Sequence, residues 1–251
     1  MTQRILLMSS SRKDGLGYLE HAAEQIHTLF KHEARKIVFV PFAGVTYSFD
    51  TYEGVVKPVF EKLGYTLESI HHSANPRKTI EEAEAIAVGG GNTFALLKRM
   101  YEADIAAAIR AKVRAGTPYV GWSAGSNVAC PTIRTTNDMP IVQPPTLRAL
   151  GLVPFQINPH FIGGKPVGHN GESREERLAE FLEINAPEQV FALPEGSALY
   201  SDGTHGTVLG ERGALHFKGK DAIDKIAGGE TFPLARIAGP ADLANWPDFG
   251  I

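Results

Sequence analysis

The chain has 251 residues, 43% of them hydrophobic and 21% charged, with a formal net charge of -3; that balance buries a full core in one α/β domain spanning 1–251. The absence of basic runs excludes nucleic acid or another polyanion as the main partner, and the only cysteine, Cys130, excludes an intrachain disulfide and a cysteine-based metal site. The apolar start Ile5-Leu6-Leu7-Met8 is too short for a signal-peptide core and no run approaches a membrane span, so the expectation is a cytoplasmic protein with no membrane partner, acting on a small molecule.

Apolar runs bounded by glycine, proline or polar residues predict strands near Arg4 to Ser10, Lys36 to Phe42, Tyr65 to Ile70, Ala85 to Val88, Pro118 to Gly121, Phe155 to Asn158 and Gln189 to Leu193. Helical segments fall between them. Leu19, Ala22, Ala23, Ile26, Leu29 and Phe30 share one face over Tyr18 to Lys31, and a second helix runs from Asp104 to Ala115, stopped by Gly116. A third starts at Ser173, where Ser173 and Glu176 have capping-box spacing ahead of Leu178, Phe181 and Leu182. Beyond Tyr200, Asp202-Gly203-Thr204-His205-Gly206 reads as the turn of an antiparallel hairpin, and the tail from Gly228, with Pro233, Pro240 and Pro247, as a surface wrap. Strands alternating with helices imply a three-layer, doubly wound α/β fold on a largely parallel sheet, with a C-terminal hairpin.

In such a sheet, ligands sit beyond the carboxyl ends of the strands. Gly121-Trp122-Ser123-Ala124-Gly125 places a serine between glycines where an apolar strand turns into a helix, the pattern of a nucleophile elbow, although an ordinary glycine turn has the same spelling. Three further loops leave strand ends. Gly89-Gly90-Gly91-Asn92 offers N–H groups to an anion, His160 follows Phe155 to Asn158, and Glu195 follows Val190 to Leu193. A serine, a histidine and a carboxylate at one edge of one sheet are what acyl transfer needs: the histidine takes the serine proton and the carboxylate fixes its tautomer. The N–H groups of Gly91 and Ala124 are candidates for an oxyanion site.

Of nine histidines, His160 meets the strand-end criterion best, with His169 in the Gly163 to Gly171 loop as its rival. His71 and His72 lie in a polar stretch leading to Asn75-Pro76. No H-E-x-x-H motif is present, the histidines do not cluster along the chain, and no G-x-x-x-x-G-K-[ST] pattern follows the triple glycine, so neither a metal nor a phosphate loop is expected. The acid is open between Glu195 and Asp138, each of which is also at home as a turn or cap residue. Arg174 and Arg177 sit in a first helical turn that disfavours cations. Glu172, Glu175 and Glu176 are the natural partners of Arg177, whereas a substrate carboxylate is an alternative for Arg174.

Six blocks in one order resemble the peptidase E family of α-aspartyl dipeptidases: Val88 to Phe94, Gly121 to Asn127, Thr135-Thr136-Asn137-Asp138-Met139-Pro140, Asn158 to Phe161, Ser173 to Arg177 and Leu193 to Gly196. The resemblance covers most of the chain and implies a fold like class I glutamine amidotransferases, related to the flavodoxin-like arrangement. It also implies hydrolysis of dipeptides with an N-terminal aspartate, without metal or cofactor. It puts the nucleophile at Ser123 and the base at His160, matches the acid to both Glu195 and Asp138, and assigns substrate recognition to Asn92 and Arg174. Cyanophycinases, which cut aspartyl links in a polymer with a similar elbow, are the nearest alternative, and Trp122 in the elbow favours the dipeptidase. A non-catalytic amidotransferase-like binding domain is a further alternative, although transfer chemistry needs cysteine where Ser123 stands.

Overall fold

The computed structural model of the chain describes residues 3–30, 34, 36–165, 167–168 and 170–237. The first half alternates strand and helix: β1 (Ile5–Met8), α1 (Ala23–Phe30), β2 (Lys36–Val40), α2 (Phe49–Lys62), β3 (Thr66–Ser69), α3 (Pro76–Glu81), β4 (Ala85–Val88), α4 (Thr93–Glu102), α5 (Ala106–Arg114), β5 (Tyr119–Trp122) and α6 (Ala124–Asn127). The second half is strand-rich, with β6 (Gln156–Asn158), α7 (Arg174–Ile184), β7 (Val190–Ala192), β8 (Ala198–Ser201), β9 (His205–Leu209), β10 (Ala214–Gly219), β11 (Ala222–Ile226) and β12 (Thr231–Pro233). Among the described residues, no helix is long and apolar enough to cross a membrane.

An eight-stranded sheet in the order β12-β9-β8-β1-β5-β4-β2-β3 forms the centre. Its β1-β5-β4-β2-β3 portion is parallel throughout. Every residue of β1, β4 and β5 is buried, because helices cover both faces. Leu6, Met8, Ile37, Phe39, Val120 and Trp122 pack on one side against Ile26 and Phe30 of α1 and Val56 and Phe60 of α2. Their alternate neighbours, Ile5, Leu7, Val38, Val40, Ile86 and Val88, pack on the other against α4 and α5 through Leu96, Leu97, Met100 and Ile109. This is the expected three-layer arrangement, and all seven expected strands are present: Ala85–Val88 with the expected bounds, Tyr119–Trp122 one residue further on, and the other five slightly narrower.

One expectation is corrected. β6 and β7 do not join the central sheet; they pair in parallel in a second, four-stranded sheet ordered β11-β10-β7-β6. The place beside β1 is taken by β8, antiparallel to it, while β7 pairs with β10. One face of the second sheet extends the main core through Ile157 and Phe191, and the other is covered by Leu178 and Leu182 of α7. The serine therefore leaves one sheet, and the histidine and glutamate leave another whose end abuts it.

The helix expected from Tyr18 begins later, as a 3-10 turn at Glu20–Ala22 that leads into α1; Lys31 and His32 lie outside the described residues. α7 carries the expected capping box: Ser173 Oγ accepts from the Glu176 amide at 3.2 Å, and Glu176 Oε2 accepts from the Ser173 amide at 2.7 Å. The hairpin β8–β9 turns where expected, with Asp202 Oδ1 accepting from the amides of Thr204 and His205. The tail differs: Thr231–Pro233 adds a strand to the outer edge of β9, where Pro233 withholds no needed N–H. Pro240 and Pro247 lie outside the described residues.

Candidate active site

β5 ends at Trp122, and the chain reverses into α6 at Ser123, whose φ of 54° and ψ of -112° lie in a region L-residues rarely occupy. Tight packing holds it there. The Ser123 amide donates to Met8 O at 3.0 Å, and its carbonyl accepts from the amides of Ser126 and Asn127. A Cβ on Gly125 would lie 2.1 Å from Val88 O, so the elbow closes only with glycine at that position. The result is a serine hydroxyl raised from the strand end into a cleft.

Two loops of the second sheet bring the partners to it. His160 Nε2 is 3.0 Å from Ser123 Oγ, and His160 Nδ1 is 2.7 Å from Glu195 Oε1. His160 itself has a φ of 52°, a second strained residue at the same place. Its backbone is fastened from several sides: its amide donates to Ser9 Oγ at 2.9 Å, Ser9 Oγ donates to Leu193 O at 2.8 Å, and Phe161 N donates to the same carbonyl. Arg174 Nη1 donates to the carbonyls of Pro159 and His160. The imidazole is thus positioned by main chain rather than by burial, since the side chains of His160 and Glu195 are 38% and 51% exposed.

The glycine loop lies against the serine. A Cβ on Gly90 would be 3.0 Å from Ser123 Cβ, and Gly91, at φ 134°, would drive a Cβ to 2.3 Å from Ala43 O. Among the described residues the amides of Gly91 and Ala124 have no hydrogen-bond acceptor in the protein. Asn92 is used differently from expectation: Oδ1 caps α4 by accepting from Ala95 N at 3.0 Å, and Nδ2 donates to Met139 O at 2.9 Å. Its amide group is a fastening between loops.

Asp138 does not reach the imidazole. Its Oδ2 accepts from Thr93 N at 2.8 Å, Thr93 Oγ1 at 2.6 Å and Thr136 Oγ1 at 3.1 Å, at the start of α4. A carboxylate there satisfies a helix-end N–H and opposes the positive end of the helix. Of the two acids open in the sequence, Glu195 is the one brought to His160. The neighbouring Asn137 donates to Pro159 O at 2.8 Å and accepts from Asn158 Nδ2 at 2.9 Å, so the loop from Thr135 to Pro140 ties the glycine loop to the histidine loop. His169 lies outside the described residues.

The serine opens on a cleft of about 480 Å³ lined by Arg12, Tyr18, Tyr47, Tyr52, Gly91 and Trp122 among others. Trp122 Nε1 donates to both Tyr18 and Tyr52 hydroxyls, and Tyr52 donates to Gly90 O at 3.0 Å. Burial, then the competing Tyr18 hydroxyl, holds the Tyr52 phenol well above its ordinary range, so it stays a neutral donor. Arg12 lies over the Tyr18 ring at 5.6 Å and lines this cleft, a cation the sequence reading missed because Ser11-Arg12-Lys13, just past the first expected strand, carries no motif. Arg174 lies on the histidine side. Burial and the nearby Arg177 pull its guanidinium below its ordinary value, while Glu195 opposes them. Arg177 pairs with Glu172 at 3.6 Å, the acidic partner expected for it.

Comparison with known proteins places this geometry. The model of peptidase family S51 matches residues 5–209. The chain is 52% identical over 231 residues to peptidase E of Actinobacillus pleuropneumoniae serotype 5b (strain L20), covering 92% of this chain and 99% of that one. It is 52% identical over 216 residues to peptidase E of Haemophilus influenzae (strain PittGG), covering 86% and 92%. The crystal structure of a peptidase from an acI-B1 Actinobacterium shares the fold, with a TM-score of 0.70 at 16% identity over 93% of this chain and 97% of that one.

Proposed function

The chain belongs to peptidase family S51 and is a serine peptidase, and from that premise we propose that it hydrolyses dipeptides with an N-terminal aspartate through an acyl-enzyme on Ser123. The observation that carries the assignment of roles is the imidazole of His160 bridging Ser123 Oγ at 3.0 Å and Glu195 Oε1 at 2.7 Å.

In this reading, Ser123 Oγ attacks the peptide carbonyl as His160 Nε2 takes its proton, and Glu195 balances the imidazolium charge. The amides of Gly91 and Ala124 receive the oxyanion. His160 then returns the proton to the departing amine, which leaves as the second amino acid. A water deprotonated by the same nitrogen attacks the Ser123 ester, and collapse of the second tetrahedral adduct releases aspartate and restores the serine O–H.

Two cations are available for the two carboxylates of the substrate. Arg174, on the histidine side and free at its second terminal nitrogen among the described residues, pairs with the aspartyl side chain. Arg12, across the aromatic cleft, pairs with the free C-terminal carboxylate, while Tyr47, Val55 and Trp122 receive an apolar second residue. Glutamate, one methylene longer, misplaces either its charge or its scissile carbonyl.

The test is a panel of Asp-Leu, Glu-Leu, Asn-Leu and Ala-Leu with purified protein, with and without chelator. Asp-Leu is expected to be cut much faster than the other three, with no effect of chelator, and a fluorophosphonate is expected to label Ser123. Equal rates across the panel would overturn the specificity, and chelator-sensitive turnover would overturn the serine mechanism.

A further inference from the structure

Away from the cleft's interior, on the opposite flank of α2, four metal-ligating side chains converge. Asp50 and Glu53 stand one turn apart at the start of α2, and His71 and His72 lie in the 3-10 turn Ile70–His72 that follows β3. One donor atom from each falls within 4.8 Å of all the others. His71 Nε2 is 2.9 Å and His72 Nε2 3.6 Å from Asp50 Oδ1, and His72 Nε2 is 2.7 Å from Glu53 Oε2. The two rings lie side by side, with centroids 3.9 Å apart.

We propose that Asp50, Glu53, His71 and His72 form a binding site for a divalent transition metal of the zinc type, separate from the serine centre. Tetrahedral coordination with bonds of about 2.0 to 2.2 Å places neighbouring donors about 3.3 Å apart. The three separations straddle that value, so small rotations of the exposed Asp50 and His72 side chains suffice. Two imidazoles with two carboxylates suit zinc, nickel or copper better than magnesium or calcium, which prefer oxygen alone.

The surroundings support the same reading. Ser69 Oγ lies 2.7 Å from His71 Nδ1, so that accepting the Nδ1 proton leaves the Nε2 lone pair facing the cluster, the usual way a protein orients a ligating histidine. The His71 ring is wedged edge-on against Phe49, 5.6 Å between centroids, which limits its rotation. Lys57 lies 3.7 Å from Glu53, and as an i,i+4 surface partner it is readily displaced.

The site joins two segments that are far apart in sequence, so the unfolded chain lacks it and an ion that fills it stabilises the native state. It also clamps the helix whose other side carries Thr51, Tyr52 and Val55 into the cleft.

Zinc titration of the purified full chain by calorimetry, with cobalt(II) absorption as a probe of coordination geometry, tests the proposal. One equivalent of zinc is expected to bind and to raise the melting temperature, and cobalt is expected to give tetrahedral visible bands. His71→Ala/His72→Ala is expected to weaken zinc binding by at least about tenfold and to abolish the thermal shift, while Asp-Leu turnover stays at the wild-type rate. Asp50→Asn, at an exposed position, is a second variant should the double one fold poorly. His160→Ala is expected to keep the zinc. No binding by the wild type, equal binding by the double variant and Asp50→Asn, or loss of zinc in His160→Ala would each overturn the proposal.

Discussion

Glu195→Gln is the most discriminating change, because it keeps the shape of the acid while removing its charge from the 2.7 Å contact with His160 Nδ1. In the reacting enzyme the imidazolium and carboxylate charges are centred about 4 Å apart, worth about 1 kcal/mol in water and about 4 kcal/mol at an effective dielectric near 20. Glu195 is half exposed, with 51% of its side-chain area open, so its contribution lies between those limits. That predicts a fall in kcat of about five- to a thousand-fold, at 1.4 kcal/mol per factor of ten. It is smaller than the roughly 10⁴-fold cost of the same change at a fully buried triad acid, because an exposed glutamine can rotate to offer its oxygen to Nδ1–H and keep the right tautomer. Asp138→Asn should instead lower stability by about 1 kcal/mol by weakening the start of α4, with kcat within a few-fold of wild type. The assay is steady-state hydrolysis of Asp-Leu beside thermal melts of both variants. A wild-type kcat for Glu195→Gln together with a hundred-fold loss for Asp138→Asn would refute the assignment of the acid.

Ser123→Ala and His160→Ala are each expected to cost on the order of 10⁴ to 10⁶ in kcat with the melting temperature little changed, and together scarcely more than either alone; additive losses in single-turnover assays would count against a coupled pair. Arg174→Ala should lower kcat/KM for Asp-Leu by about ten- to a hundred-and-fifty-fold and for Ala-Leu far less, whereas equal losses would confine Arg174 to holding the carbonyls of Pro159 and His160. Arg12→Ala should raise KM for Asp-Leu but leave Asp-Leu amide, which lacks the terminal carboxylate, unaffected; a parallel rise for both would remove Arg12 from recognition. Burial holds His216 down at about 4, stacked on Phe191, so the folded chain keeps it neutral while the unfolded chain protonates it near 6.5. Stability from this group is therefore complete above about pH 6.5 and is lost as pH falls towards 4. His216→Phe should flatten that part of a urea-melt pH profile, and an unchanged slope would assign it to other groups.

The strands were legible because each is a short apolar run closed by turn residues, a local signal that survives whatever the partner. Pairing was not, since which strand lies beside β1 depends on contacts across the whole chain, and β8 takes that place instead of a parallel neighbour. α2 was invisible for a different reason: it contains Gly54 and Pro58, both marks of a turn. They stand at i and i+4, and glycine with open space around it is where the proline ring meets least obstruction. Its buried face is then decided by tertiary packing through Tyr52, Val56 and Phe60.

The site divides along the same line between local and distant. Ser123 is announced by its own neighbours, because the strained turn demands glycine on both sides. His160 and Glu195 were found only by asking which polar residues follow strands, and that reasoning succeeded even though the strands belong to a second sheet, because Ser9, just beyond β1, bonds Leu193 O and His160 N at the ends of that sheet. Asp138 defeated it, since a carboxylate three residues beyond a buried threonine has the same spelling whether it faces an imidazole or a helix end. The structure assigns it the helix end, and Asn137 then bonds Pro159 and Asn158 while Asn92 bonds Met139. The Thr135 to Pro140 block therefore acts through geometry: it fixes the distance between the amides of the glycine loop and the imidazole. A fastening of this kind and a catalytic acid leave the same mark in one sequence, and only the hydrogen-bond partners tell them apart.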